Sequence, residues 1–305
     1  MTTTPDYEVI VIGAGVAGIY QIKLLQDLGV KATVLELAGD LGGTWYWNRY
    51  PGARFDSESY TYGYSFSREV LDEWHWKERF SSQPENLKYL NFVADKFNLR
   101  RHMQFNQRVT AAQWDEANRL WRLTVRDEQG EEGPGERKGT TREMTCRFVV
   151  MALGLLSQPT LPRLEGMQDF KGPSFHTYYW PKEGVDLAGK RVFMRVDYNV
   201  QFDGDQILDD MRLRESAPTI RALQQSGAKI IACSHRGRPA GKVVEELRNA
   251  PVAKHLGELL GDVRQLGGQA EELRLVGGLA QVALHPLKER RLELLGDDGG
   301  VGEAL

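Results

Sequence analysis

A chain of 305 residues has room for two cores, and its 39 basic and 42 acidic side chains leave a formal net charge of −3. No broad field exists to draw nucleic acid or an anionic membrane surface. The two cysteines, Cys146 and Cys233, are far apart and lack metal or redox spacing, which excludes a disulfide framework and fits a reducing compartment. Met1 to Asp6 lack the basic start and apolar core of a secretory signal. No apolar run approaches the ~20 residues that cross a bilayer. The expectation is a soluble, cytoplasmic protein that takes small-molecule ligands, with no nucleic-acid, membrane or metal partner. The sequence leaves the oligomeric state open.

Glu8 to Ile12 is a short β-branched apolar run, as a buried parallel strand requires. It opens into Gly13-Ala14-Gly15-Val16-Ala17-Gly18, followed by a helical stretch through Leu25 that stops near Gly29. A second strand, Ala32 to Leu35, ends at Glu36. This strand–turn–helix–strand unit fits a dinucleotide. Gly13 permits the tight turn, Gly15 lets backbone approach a pyrophosphate, and Gly18 allows helix and strand to pack closely. The helix N-terminus offers N–H groups and a positive dipole end to that pyrophosphate. Glu36 is placed to accept hydrogen bonds from ribose hydroxyls.

The stretch Gly42-Gly43-Thr44-Trp45-Tyr46-Trp47-Asn48-Arg49-Tyr50-Pro51-Gly52-Ala53-Arg54-Phe55-Asp56-Ser57-Glu58-Ser59 closely resembles the Baeyer–Villiger subgroup of flavin-dependent monooxygenases. A second match, Phe170-Lys171-Gly172-Pro173-Ser174-Phe175-His176-Thr177-Tyr178-Tyr179-Trp180-Pro181, fits that group's fingerprint of Phe, Gly, His, Trp and Pro. The resemblance covers roughly residues 5 to 192. The resemblance implies FAD and NADPH as cofactors and insertion of an oxygen atom beside a ketone carbonyl. It assigns Gly13, Gly15, Gly18 and Glu36 to the adenosine and diphosphate of FAD, with Val109 meeting the adenine through its backbone. Thr44, Trp45 and Trp47 would line the flavin side, Asp56 and Tyr62 would contact the cofactor near its ring, and His176 would couple domain motion to turnover. Arg54 to Asp56 would face the nicotinamide cofactor. One departure stands out: the strand Phe148 to Gly154 carries Leu153 where the group has threonine, so a hydroxyl contact is lost. Trp74 and Trp76 read as packing residues. Arg126 to Thr141 reads as an exposed hairpin or loop.

After the fingerprint the pattern changes. All seven Trp lie at or before Trp180, and no Phe, Tyr or Trp follows Phe202. The strand Lys190 to Met194 continues as Arg195-Val196-Asp197-Tyr198-Asn199, without a second glycine triplet, so the NADPH-binding domain expected of the group is absent here. From Asp186 to about 262 the chain instead resembles the N-terminal domain of phosphoglycerate kinase. The matching text is Gly189-Lys190-Arg191-Val192, Asp197-Tyr198-Asn199-Val200, Asp209-Asp210-Met211-Arg212-Leu213-Arg214 and Ser234-His235-Arg236-Gly237-Arg238-Pro239. The residues alone read as a strand near Val192 to Val196, a helix from Ala217 to Gln225 ended by Gly227, and a strand from Lys229 to Cys233 delivering His235. A helix around Ala250 to Leu256 follows. The resemblance assigns Asp197, Asn199, Arg212, His235 and Arg238 to 3-phosphoglycerate, with Arg212 neutralising the transferring phosphoryl group. Arg214 and Arg236 read as solvated. Two departures are Gln201 for a proline and Arg236 for a leucine. The kinase's ATP-binding domain is absent from the resemblance. Residues 263 to 305 read as weakly specified, with short helices around Ala270 to Leu275 and Pro286 to Leu295.

The expected architecture is therefore α/β. An incomplete Rossmann-like FAD-binding domain occupies 1–183, a partial phosphoglycerate-kinase-type α/β unit 184–262, and a tail 263–305. The leading reading is an FAD-binding flavoprotein of Baeyer–Villiger type, incomplete as a catalyst. The alternatives are a 3-phosphoglycerate-binding protein and a fusion product that does neither.

Overall fold

The computed structural model describes residues 4–128, 139–161, 166–204, 206–237, 244–261 and, as backbone, 273–275. The chain divides into two compact units, residues 1–49, 54–161 and 175–182 forming the first and 50–53, 162–174 and 183–305 the second.

The first unit begins with β1 (Tyr7–Ile12), α1 (Val16–Asp27) and β2 (Ala32–Leu35). Period-two alternation settles how β1 is buried. Val9 and Val11 pack with Ile19, Ile22, Tyr89, Leu90 and Val93 on one face, while Ile10 joins Leu35, Leu123, Val125 and Cys146 on the other. Helix α1 stops at Leu28 because Gly29 adopts φ +67°. The Gly29 N–H donates to Gln26 O and the Val30 N–H to Leu25 O, a Schellman ending.

Four helices follow, α2 (Thr44–Trp47), α3 (Ser59–Tyr62), α4 (Arg68–Glu73) and α5 (Gln83–Lys96). Then come β3 (Met103–Gln104), β4 (Gln107–Asp115), β5 (Leu120–Asp127) and β6 (Thr141–Met151). The six strands lie in the order β3-β2-β1-β6-β5-β4. The first four are mutually parallel and β6, β5 and β4 are antiparallel. Arg126 at the end of β5 pairs with Thr141 at the start of β6. The expected hairpin thus has its two flanks in place, and its tip, 129–138, lies outside the described residues. Trp74 and Trp76 pack on one another and on Tyr89 with ring centroids 4.8–5.7 Å apart, the packing role read from the sequence.

The second unit holds β7 (Arg191–Arg195), β8 (Phe202–Asp203), β9 (Gln206–Ile207), α6 (Met211–Gln225), β10 (Lys229–Cys233), α7 (Ala250–Leu260) and β11 (Leu273–Leu275). Strands β7 and β10 are parallel with α6 between them, a βαβ crossover. Leu187, Tyr198, Leu213, Ile220, Leu223, Ile230, Val252 and Leu256 form its core.

Two expectations are corrected. The helix expected from Ala217 starts at Met211 and carries Pro218 in its interior. An interior proline obscures where the helix begins, and burial of Leu213, Ala217, Ile220 and Leu223 along one stripe holds the extra turns. Of the helix expected around Ala270 to Leu275, Leu273–Leu275 is instead a strand parallel to β10, and 270–272 lies outside the described residues. Alternating Leu-Arg-Leu satisfies a strand's period as well as a short helix's, and pairing with β10 decides it. The helix expected at Pro286 to Leu295 lies outside the described residues. Among the described residues no helix is long and apolar enough to cross a membrane.

Candidate functional site

The turn between β1 and α1 is built by backbone. Gly13 has φ +104°, its N–H donates to Leu35 O, and a Cβ there would lie 2.5 Å from Ala152 O. A Cβ on Gly18 would sit 1.8 Å from Gly13 O, so the helix can approach the turn only with glycine at this position. Gly15 caps α1 with no side chain to occupy the first-turn N–H groups. These three features make an anion cradle of the kind a dinucleotide pyrophosphate fills.

A further contact was not readable in advance. Gly15 lies back to back with Gly43: a Cβ on Gly43 would fall 2.7 Å from Gly15 Cα, and the Gly42 N–H donates to Ala14 O at 3.0 Å. The nucleotide turn and the aromatic-rich segment after Leu41 therefore share a wall.

Glu36, 5 % exposed, stands at the end of β2. Its carboxylate accepts from the Ala14 N–H (2.6 Å) and the Ala38 N–H (2.8 Å). Burial raises its pKa above the ordinary value, against the opposing pull of backbone hydrogen bonds from Ala14, Ala38 and Leu37. Its own backbone is bracketed: the Glu36 N–H donates to Gln104 O and the Gln107 N–H to Glu36 O. That bracket brings the start of β4 alongside, and half-buried Val109 follows two residues on, at a β-bulge.

Thr44 is the first residue of α2. Trp45 is buried and donates its indole N–H to Tyr62 Oη at 2.7 Å; Phe55 stacks on Tyr62 at 4.6 Å and meets Trp45 edge-on. Burial raises the Tyr62 pKa, so the phenol stays protonated. Trp47 stacks on Tyr178 at 5.3 Å, nearly parallel. Tyr178 is itself pushed up to about 12, by burial first and then by Tyr179 and Glu36. His176 reaches the same wall indirectly: its Nδ1 accepts the Tyr178 N–H at 3.1 Å, capping a short turn over Thr177–Tyr179. Asp56 is exposed beside Phe55. Arg54 donates to Glu78 and to Phe80 O. Sequence reasoning missed the Tyr178 contact, although the residue lies within the fingerprint, and also Gln83, whose amide holds Trp45 O. Leu153 is half exposed, and its backbone N would be 3.7 Å from a Cβ on Gly13.

In the second unit Arg212 pairs with Asp197, and Asn199 Oδ1 accepts the Gly237 N–H at 2.9 Å. Ser234, just before His235, accepts the Tyr198 N–H on its hydroxyl. Asp197, Asn199, Arg212 and His235 thus gather about the loops that follow β7 and β10; Arg238 lies outside the described residues. Arg214 is exposed and paired with Asp210. Arg236 is not simply solvated: its guanidinium lies 3.5 Å from the Phe202 ring centroid and donates to Arg248 O. After β7 the loop turns on Asp197, whose carboxylate accepts the Asn199 N–H; among the described residues no helix follows before Met211, and the glycine there, Gly204 at φ +57°, turns the chain only between the two-residue strands β8 and β9. This segment does not fit a second dinucleotide pyrophosphate. Among the described residues no group of three or more His, Cys, Asp or Glu could hold a metal ion.

Comparison with known proteins gives the family. The phosphoglycerate kinase family model matches residues 183–295, and the flavin-binding monooxygenase-like model matches 6–203. A 2-oxo-Delta(3)-4,5,5-trimethylcyclopentenylacetyl-CoA monooxygenase of Pseudomonas putida is 46 % identical over 195 residues, covering 62 % of this chain and 33 % of that protein. An acetone monooxygenase (methyl acetate-forming) of Gordonia sp. (strain TY-5) is 43 % identical over 191 residues, covering 63 % and 33 %. Among solved structures, OTEMO in complex with FAD and NADP superposes with a TM-score of 0.61 at 39 % identity, covering 76 % of this chain and 39 % of that one. The cyclohexanone monooxygenase of Rhodococcus sp. Phi1 bound to NADP+ gives 0.61 at 36 %, covering 75 % and 38 %. The chain spans about a third of the length of the curated relatives it matches. With its glycine turn, buried acid and aromatic wall inside a match over nearly two thirds of its length, the chain belongs to the flavin-binding monooxygenase-like family.

Proposed function

We propose that the first unit binds FAD. The observation that carries this reading is the backbone cradle of Gly13, Gly15 and Gly18, closed by Gly43 and ending on the buried carboxylate of Glu36. The cradle accepts the diphosphate, Glu36 accepts from the ribose, and the Val109 backbone meets the adenine. Thr44, Trp45 and Trp47 line the flavin side, with Asp56 and Tyr62 near its ring. Trp45, Phe55 and Tyr62 form a dry wall there, and the Trp45–Tyr62 hydrogen bond fixes its orientation. His176 is a positioning residue that holds Tyr178 against Trp47. In relatives of Baeyer–Villiger type, bound FAD supplies the redox chemistry, with NADPH as reductant, that places an oxygen atom beside a ketone carbonyl. Residues 190–203 do not form the glycine turn for NADPH, so the property proposed for this chain is FAD binding rather than the full reaction.

The division proposed with this reading is an FAD-binding domain over 1–183, a phosphoglycerate-kinase-type α/β unit over 184–262, and a tail over 263–305. Purified protein tests the first part. A yellow sample absorbing near ~450 nm, as flavins do, with FAD quenching the Trp fluorescence, is expected. Colourless protein that titration with FAD leaves unchanged would sink it.

A second reading is favoured by the gathering of Asp197, Asn199, Arg212 and His235 at the carboxyl ends of β7 and β10, where open α/β sheets place ligands. Arginine there offers bidentate geometry to phosphate or carboxylate. The ligand proposed is 3-phosphoglycerate, and a thermal shift of the second unit on its addition is the test. Neither response, with early proteolysis after Trp180, favours a fusion product that does neither.

A further inference from the structure

An open hollow of about 580 Å³ in the first unit shares no lining residue with the glycine cradle or the aromatic wall. Its size falls within the range of about 300–1,000 Å³ that holds small-molecule ligands. Tyr7, Lys31, Gln104, Gln107 and Arg142 line it, drawn from around the starts of β1, β2, β4 and β6 and the end of β3. Lys31 Nζ lies 5.5 Å from the Tyr7 ring centroid. The Gln104 amide N–H donates to Tyr7 Oη at 3.5 Å, and Arg142 donates to Gln104 Oε1 at 2.8 Å. The two cations thus stand at opposite ends of one chain of contacts, and among the described residues neither is paired with a carboxylate. The carboxylates on the rim are engaged elsewhere. Asp6 accepts from the Thr145 N–H and hydroxyl, and Glu143 pairs with Arg122. Gln107 supplies the observation that calls for a ligand. Its side chain is buried, its amide N–H donates to Phe105 O at 3.1 Å, and its Oε1 is buried without a hydrogen-bond partner. A buried acceptor left unpaired is costly, and folded chains seldom carry one that nothing completes.

We propose that this hollow binds a small hydroxy-dicarboxylate. Lys31 takes one carboxylate and Arg142 the other, the arginine in bidentate geometry. The ligand's hydroxyl donates to Gln107 Oε1 and completes the buried amide. Two cations set apart by a tyrosine ring and an amide suit two separate carboxylates better than one compact anion. The site adjoins the backbone of Glu36, since the Glu36 N–H donates to Gln104 O and the Gln107 N–H to Glu36 O. An occupant therefore steadies the strand ends on either side of that acid.

The probe is L-malate, titrated calorimetrically into the protein without added flavin, at low ionic strength so that the ion pairs are little screened. Binding is expected. Succinate, which lacks the hydroxyl, should bind at least about fivefold more weakly, and inorganic phosphate, with one anionic centre, should also be weaker than malate. Lys31→Gln and Arg142→Gln should each cost at least about tenfold in affinity, with circular dichroism unchanged. Arg68→Gln, at an exposed position on α4, should change it by less than about twofold. Amide exchange over 104–107 in the unaltered chain should slow at least about threefold on saturation with malate. No binding, succinate or phosphate matching malate, affinity unaltered by both substitutions, or equal weakening by Arg68→Gln would each overturn the proposal. So would unchanged exchange over 104–107, a readout that stands even where a variant fails to fold. Because no readout uses flavin, failure here is separable from failure to bind FAD.

Discussion

Glu36, the acid proposed to meet the ribose, also burdens the fold with a buried carboxylate. Its folded pKa is raised, so its contribution to stability is fully present below the unfolded value and is lost as pH rises through the folded one. Glu36→Gln keeps an acceptor for the Ala14 N–H and removes the buried charge. The variant should lose the gain in melting temperature that the parent shows as pH falls from neutral toward 5, measured in the absence of FAD. Its affinity for FAD should drop roughly ten- to hundredfold, since a hydrogen bond to a charged group is worth about 1.5–3 kcal/mol. Gly18→Ala tests the turn itself. Its Cβ would meet fixed backbone at 1.8 Å, so a loss of about 3 kcal/mol is expected in denaturant unfolding, with loss of FAD binding. Leu153→Thr introduces a hydroxyl beside Gly13, as the family resemblance expects there, and should tighten FAD about two- to tenfold by fluorescence titration. These positions were legible because glycine and acid spacing is local in sequence. The Trp47–Tyr178 stack and the Trp45 carbonyl held by Gln83 were not, because each joins segments that only the folded chain brings together.

Among the elements, β1, α1 and β2 were read with near-correct ends, since a β-branched run, a glycine turn and a Schellman ending each leave a local mark. Strands β7 and β10 were legible for the same reason. Helix α6 was not, because an interior proline obscures where it begins. Pro218 has no N–H to give the carbonyl four residues earlier, which costs a helix about 3 kcal/mol, offset by about 0.4–1 kcal/mol of reduced freedom in the unfolded chain. Pro218→Ala should therefore stabilise the second unit by about 2 kcal/mol in urea unfolding. An unchanged midpoint would mean that packing of Leu213, Ala217 and Ile220 has already absorbed the missing bond.

At the scale of the molecule, each unit has its own buried core and its own candidate ligand site. The change in aromatic content after Phe202 made that division visible in composition. That 50–53 and 162–174 group with the second unit was invisible, because such grouping depends on contacts rather than on local pattern. Calorimetry should resolve two transitions. FAD at ~100 times its Kd should add about 2.7 kcal/mol to one of them, and 3-phosphoglycerate should act on the other. A single transition moved by both ligands would contradict separate sites.

The meeting of Gly15 and Gly43 has an evolutionary corollary. Ordinary packing errors can be repaired by trimming a neighbour, but neither residue has anything left to trim. A side chain gained on one loop finds no compensating exchange on the other, so the two positions tolerate change only through a shift of main chain. Lineages that keep the nucleotide turn should therefore hold the second glycine just as strictly, although it touches the ligand's site only from behind. The pair acts as a ratchet on sequence drift, locking together two motifs that selection could otherwise have tuned one at a time.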